Sequence, residues 1–146
     1  MILLDVNILL YAYDEASSHY REVQPWLEAL LSGPEDVGVP WLTLWAFVRI
    51  STNPRISETP LDPRAAIRTL QDLLAGPRVR IVEPGPHHIR ILEKLVVDGQ
   101  ASGPRVTDAA LAALAIEHGA TLASTDRDFS RFPNLRWINP LTAAGS

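Results

Sequence analysis

The sequence predicts an α/β domain built on a mainly parallel sheet. Helical and strand-like segments alternate from end to end, the opening strand is an unbroken apolar run, and no repeat, low-complexity tract or linker divides the chain. A chain of 146 residues suits one core, burying about 68–70% of the surface its unfolded form exposes.

The run Ile2, Leu3, Leu4 has the character of a strand at the centre of a parallel sheet, and Asp5 and Asn7 stop it. Tyr20, Val23, Leu27, Leu30 and Leu31 then recur at helical spacing, with Ser17 or Ser18 as cap and "SGP" as stop. Pro25 interrupts that pattern, so a kink or a restarted helix is expected. "DVGVP" is a second strand. "WLTLWAFVRIST" follows as a helix with a buried stripe of Trp41, Leu44, Phe47 and Val48, and "NPRISETPLDP" is a proline-punctuated loop. Pro63 suits the first turn of a helix carrying Ala66, Ile67, Leu70, Leu73 and Leu74. "VRIVEP" is a third strand, and "HHIRILEKLVVDG" a helix closed by Gly99. From Thr107 to His118 a strongly apolar helix runs to a stop at Gly119. "TLAS" makes a fourth strand, "TDRDFSRF" a loop with a short helix, and "LRWIN" a fifth strand.

Hydrophobic residues make up 47% of the chain and charged residues 21%, which excludes the composition of a disordered protein. No apolar stretch approaches the roughly 18 residues of a spanning helix, and the start lacks a secretory signal pattern, so neither membrane insertion nor export is expected. With no cysteine the chain has no disulfide or thiolate metal site, which fits a reducing cytoplasmic setting. A net charge of −4 speaks against a simple nucleic-acid-binding module. Of thirteen basic residues only Lys94 is lysine. Arginine's planar fork suits phosphate, although a GC-rich coding sequence would give the same usage.

Four acids stand where chemistry is expected. Ligands of open parallel sheets collect beyond the carboxyl ends of the strands. Asp5 closes the first strand, and Asp126 and Asp128 follow the fourth. Asp108 opens a helix, and Leu111, Ala112 and Ala115 lie three, four and seven residues on, so its carboxylate shares their inward stripe. Taken singly, Asp108 could cap its helix and Asp126 and Asp128 could form turns. Taken together they need a counter-ion, since two carboxylates ~4 Å apart repel by ~4 kcal/mol at an effective dielectric near 20. Without cysteine, and with no trusted ligand spacing among His19, His87, His88 and His118, that ion would be a hard one, Mg²⁺ or Mn²⁺.

"LLDVNILLYAYDE", "FVRISTNPRI", "VTDAALAALAIEHGATLASTDRDFSRFP" and "LRWINPL", in that order over nearly the whole chain, resemble the PIN-domain ribonucleases, specifically the VapC-type toxins of VapBC toxin-antitoxin modules. The resemblance implies a three-layer α/β/α sandwich with a mainly parallel central sheet, one PIN-like domain over residues 1–146, and metal-assisted cleavage of structured RNA such as tRNA or rRNA. It implies that Asp5, Asp108 and Asp126 hold Mg²⁺ or Mn²⁺, with Asp128 as an additional or water-mediated ligand. Asn7 and Thr125 would orient these carboxylates, and Arg49, Arg105, Arg127 and Arg131 are candidate phosphate contacts. The implied partners are a second copy in a homodimer and a small VapB-type antitoxin that blocks the acids.

One departure stands out: the family carries a glutamate early in the helix before "FVRI", where this chain has Leu44, whose spacing places it in the apolar stripe. That replacement supports an alternative, a weakened PIN-fold interaction domain. A phosphatase with an aspartyl nucleophile would want an acid two residues after Asp5, and Asn7 stands there instead.

Overall fold

The computed structural model describes residues 1–143; the last three residues of the expected domain lie outside that range. Five strands, β1 (Ile2–Leu4), β2 (Val37–Pro40), β3 (Val79–Val82), β4 (Thr121–Ala123) and β5 (Trp137–Ile138), form one parallel sheet in the order β3-β2-β1-β4-β5. Around it lie α1 (Val6–Ala12), α2 (Tyr20–Ser32), α3 (Trp41–Ser51), α4 (Pro63–Leu74), α5 (His88–Asp98), α6 (Arg105–Glu117) and α7 (Pro140–Ala143), with a short 3-10 helix at Arg127–Arg131.

The pleat divides the core into two layers, because successive strand side chains point to opposite faces. Leu3, Leu122 and Val82 pack with Leu95 of α5 and the alanine-rich inner face of α6. Leu4, Ala123, Val37 and Val39 pack with Ile8, Leu9, Val23, Leu27, Leu44, Phe47, Leu70 and Leu73 from α1 to α4. Helices thus cover both faces, as expected of an α/β/α sandwich. Each leucine buried in this way contributes about 1.5–3 kcal/mol. At Gly38 neighbouring side chains fill the space a Cβ would take, which would stand 2.6 Å from Val82 Cγ2 and 2.9 Å from Leu3 Cδ1.

The helix stops fall as predicted: Pro63 opens α4 behind an Asp62 cap, Gly99 caps α5, and Gly119 adopts a φ of +63° after α6. Several local expectations are corrected. Neither Ser17 nor Ser18 caps α2; His19 occupies the cap position, and Ser17 Oγ accepts its N–H at 3.2 Å. Pro25 does not split α2, which runs on as one helix. Pro25 and Arg21 are exposed, so the Arg21 carbonyl deprived of its donor can turn to water. Trp41 is not in the buried stripe of α3; Thr43, Leu44, Phe47 and Ser51 are, with Val48 partly covered. Ile67 is 45% exposed on α4. The helix bearing Asp108 begins at Arg105, before Thr107. Two helices were not anticipated: α1, which Asp5 starts, and α7.

Candidate active site

The strand order reverses between β1 and β4: the chain builds outward through β2 and β3, then returns to lay β4 against the other side of β1. A crevice opens at such a switch point beyond the carboxyl ends of the two strands. Leu4 pairs with Ala123, so Asp5 and Ser124 leave the sheet side by side. The first residues beyond β1 and β4 are therefore brought together from opposite ends of the sequence.

Asp5 is held by three donors. Its Oδ1 accepts the Val6 N–H at 2.7 Å as the cap of α1, and its Oδ2 accepts from Ser124 Oγ at 2.7 Å and from Asn7 Nδ2 at 3.2 Å. Asn7 Nδ2 also reaches Ser124 Oγ at 3.1 Å, while Asn7 Oδ1 accepts the Thr125 N–H at 3.2 Å. Ser124 Oγ in turn accepts the Asp126 N–H at 3.1 Å. Behind this lattice, Trp137 Nε1 donates to the Ser124 carbonyl at 2.9 Å and Asn139 Nδ2 to the Thr125 carbonyl at 3.5 Å, so β5 steadies the loop that carries Asp126. Thr125 takes part through its backbone alone; the hydroxyl that engages the acid belongs to Ser124, which is completely buried. Sequence reasoning passed over Ser124 as a strand residue. The signal that finds it is register, since a residue just past β4 must face its counterpart just past β1.

The remaining acids lie near enough to sense one another's charge. Burial pushes the Asp108 carboxyl above its ordinary range, and the charges of Asp126, Asp5 and Asp128 push it further, against the pull of Arg131. Burial likewise raises Asp5, with the Ser124 and Val6 hydrogen bonds opposing and Asp126 adding to the rise. Asp126 Oδ1 accepts the Asp128 N–H at 2.9 Å, so Asp126 caps its turn as well as facing the other acids. The Asp108 carboxylate makes no hydrogen bond among the described residues, which leaves the capping alternative without a contact. The arrangement is looser than a closed cage: among the described residues, no three Asp, Glu or His side chains stand close enough to hold one ion. In kind the donors suit a hard divalent cation, being oxygen atoms only, with lone pairs uncommitted on Asp108, Asp126 and Asp128.

All four candidate arginines are exposed. Arg105 and Arg131 line one depression of about 300 Å³ with Asp98, Gly99 and Gln100. Arg127 lies between Asp126 and Asp128, and Arg49 stands on the last turn of α3, apart from that depression. Leu44, only 4% exposed, sits in the apolar layer with Leu4, Ile8 and Phe47. Its neighbour Thr43 donates to the Leu4 carbonyl at 2.8 Å, fixing the residue before Asp5. The histidines stand at helix ends or next to them, His118 Nε2 meeting the Glu83 carbonyl at 2.8 Å. A cavity of about 480 Å³ between the end of α1 and the loop after α3 has none of the four acids on its wall.

The PIN domain model matches residues 2–135. Ribonuclease VapC37 of Mycobacterium tuberculosis is 41% identical over 140 residues, spanning 96% of this chain and 97% of that protein. Ribonuclease VapC25 of the same organism is 41% identical over 141 residues, spanning 96% and 99%. Among solved structures, VapBC2 of Rickettsia felis bound to a DNA fragment from its promoter superposes with a TM-score of 0.72 at 22% identity, covering 95% of this chain and 98% of that one. The Sarcin-Ricin loop cleaving toxin VapC20 of M. tuberculosis superposes with a TM-score of 0.63 at 18% identity, covering 93% and 99%. At those identities the structures speak for the fold alone.

Proposed function

We propose, from the premise that this chain belongs to the PIN-domain family and within it to the VapC ribonucleases, that it is a cytoplasmic endoribonuclease toxin acting with Mg²⁺ or Mn²⁺ and neutralised by a VapB-type antitoxin. One observation carries the reading: Asp5 and Asp126, distant in sequence, are both hydrogen-bonded to the buried Ser124 hydroxyl at the switch point of the sheet. Carboxylates drawn into one cleft are costly unless a cation accompanies them.

To hold the ion, Asp5, Asp108 and Asp126, with Asp128 directly or through water, would have to draw closer together than they stand here. A divalent ion there would lower the cost of charge on the scissile phosphate and on the attacking and leaving oxygens. The chain's own residues do the rest. Asn7 and Ser124 hold Asp5 in one orientation. Arg105 and Arg131, sharing a depression beside Asp108, offer forked donors to the phosphates flanking the cleavage point, and Arg127 offers a third guanidinium. The carboxylates carry no sequence preference, so selection of a structured target such as tRNA or rRNA falls to surfaces outside the crevice. VapC relatives and VapBC complexes support an antitoxin partner, and a homodimer is the expected assembly.

The test is cleavage of total RNA by the purified protein in Mg²⁺ or Mn²⁺, with Asp5→Asn and Asp126→Asn alongside. Metal-dependent cleavage lost in both variants is expected; cleavage of equal strength in both would mean that the acids are not the site. The interaction-domain alternative gains from Leu44 alone. It predicts a wild type inert on all RNA that still binds its antitoxin.

A further inference from the structure

Helix α5 ends in a turn that keeps a side chain where glycine is usual. The Ala101 N–H donates to the Val96 carbonyl at 2.9 Å and the Gln100 N–H to the Val97 carbonyl at 3.3 Å, the paired bonds of a Schellman close. The left-handed position of that motif is Gln100, with a φ of +50°. A residue with a Cβ is strained there, and strain of this kind collects where a side chain is used. Gly99, just before it, answers a different need: a Cβ there would stand 2.7 Å from the Leu95 carbonyl oxygen.

Gln100 lines the depression of about 300 Å³ together with Asp98, Gly99, Arg105 and Arg131. Two connections tie that hollow to the acids. Arg105 stands one turn before Asp108 on α6, and Arg131 closes the 3-10 turn that Asp126 caps. Asp98 shares the hollow with two guanidiniums, yet among the described residues it pairs with neither, and no hydrogen bond joins the four polar side chains. Both signs of charge are therefore uncommitted in one place. The arginines suit a phosphate, while Asp98 only accepts and would repel one. A nucleotide meets both demands. Of the four bases only guanine offers two adjacent N–H donors, N1–H and N2–H, for the two oxygens of one carboxylate, with O6 beside them for an amide N–H. Adenine and cytosine offer one amino group beside an acceptor, and uracil one N–H between two carbonyls.

We infer that the depression at the end of α5 is a guanine-selecting nucleotide subsite, in which Asp98 accepts from N1–H and N2–H, Gln100 donates to O6, and Arg105 and Arg131 hold the phosphate. This rests on the ribonuclease reading and adds to it a base preference next to the cleavage point.

The experiment measures, by fluorescence anisotropy, binding of short single-stranded 2′-O-methyl oligouridines that carry one central guanine, adenine or inosine, the last lacking the N2 amino group. The wild type is expected to bind the guanine probe roughly 5- to 150-fold more tightly than the adenine probe, with inosine between them. Asp98→Asn is expected to erase the difference between guanine and inosine, with a thermal melt confirming its fold. Gln100→Gly is expected to raise the thermal midpoint, since glycine suits the left-handed position, and yet to narrow the preference for guanine over adenine. Equal binding of the three probes by the wild type, or a full preference kept by folded Asp98→Asn, refutes the subsite. A full preference kept by Gln100→Gly overturns the part given to Gln100. Cleavage of total RNA that needs Asp5 and Asp126, combined with equal binding of the probes, would leave the nuclease reading standing without the subsite. A guanine preference in a protein that cleaves no RNA would do the reverse.

Discussion

At Ser124 one buried hydroxyl serves three partners, donating to Asp5 Oδ2 and accepting from Asn7 Nδ2 and the Asp126 N–H. Ser124→Ala leaves the backbone donor of Asp126 without its acceptor and Asp5 with one fewer. A hydrogen bond to a charged group is worth about 1.5–3 kcal/mol, and outer partners of ion-holding residues typically account for about 10- to 100-fold in activity. The expected variant is folded, shows a lower denaturation midpoint and cleaves RNA 10- to 100-fold more slowly; wild-type cleavage would mean Asn7 alone aims Asp5. Asp108 gives the opposite sign for stability. Burial, then Asp126, Asp5 and Asp128, raise its carboxyl above the ordinary value of 3.8. Its contribution to stability is therefore complete below the unfolded value and is lost as pH rises through the elevated folded one. Asp108→Asn should accordingly raise the metal-free denaturation midpoint at pH 7 and lose that advantage in acid, as urea titrations at the two pH values would reveal. Both acids were legible because a carboxylate on an apolar stripe or at a strand end is anomalous. Ser124 was not, because a serine ending a strand is ordinary until its neighbour across the sheet is known.

Among the elements, those bounded by backbone chemistry were readable and those bounded only by apolar content were not. Pro63, Gly99 and Gly119 mark their helix ends through φ restriction or freedom, which sequence reports directly. The letters of α1 continue the apolar run of β1, and only Asp5 accepting the Val6 N–H separates them. In α3 nearly every position is apolar, so hydrophobicity could not fix the helix's rotation. Tertiary contacts turned Thr43 and Ser51 inward and the two tryptophans outward. That rotation decides what Leu44 is. At 4% exposure in the layer of Ile8, Leu9 and Phe47, it is a core residue. Leu44→Glu would bury a carboxylate among apolar side chains at a cost of about 3 kcal/mol or more. The expected variant has a much lower denaturation midpoint and no gain in Mn²⁺ affinity by calorimetry. Tighter Mn²⁺ binding would mean that α3 can present an acid to the crevice after all.

For the molecule as a whole, alternation of elements predicted a parallel sheet, but the order β3-β2-β1-β4-β5 is a property of long-range packing. That order makes neighbours of Asp5 and Asp126, and no local pattern states it. The same scale governs charge. With a net −4, the molecule's overall field repels a polyanion, so affinity for RNA must come from a few arginines placed against phosphates. If three or four of Arg49, Arg105, Arg127 and Arg131 make such contacts, log Kd should vary with log salt with a slope of about 2 to 3, from roughly 0.7 per contact on a single strand. Between 50 and 200 mM salt this is a loss of roughly 20- to 50-fold in affinity. Arg131→Gln should lower the slope by about 0.7, and Asp126→Asn should leave it unchanged or steeper, since it removes a repulsive charge and no cation. Anisotropy titrations across that salt range with a short single-stranded 2′-O-methyl RNA, which resists cleavage, check both. A flat profile in the wild type would assign the phosphates to the divalent ion alone and would remove the arginines from the binding surface.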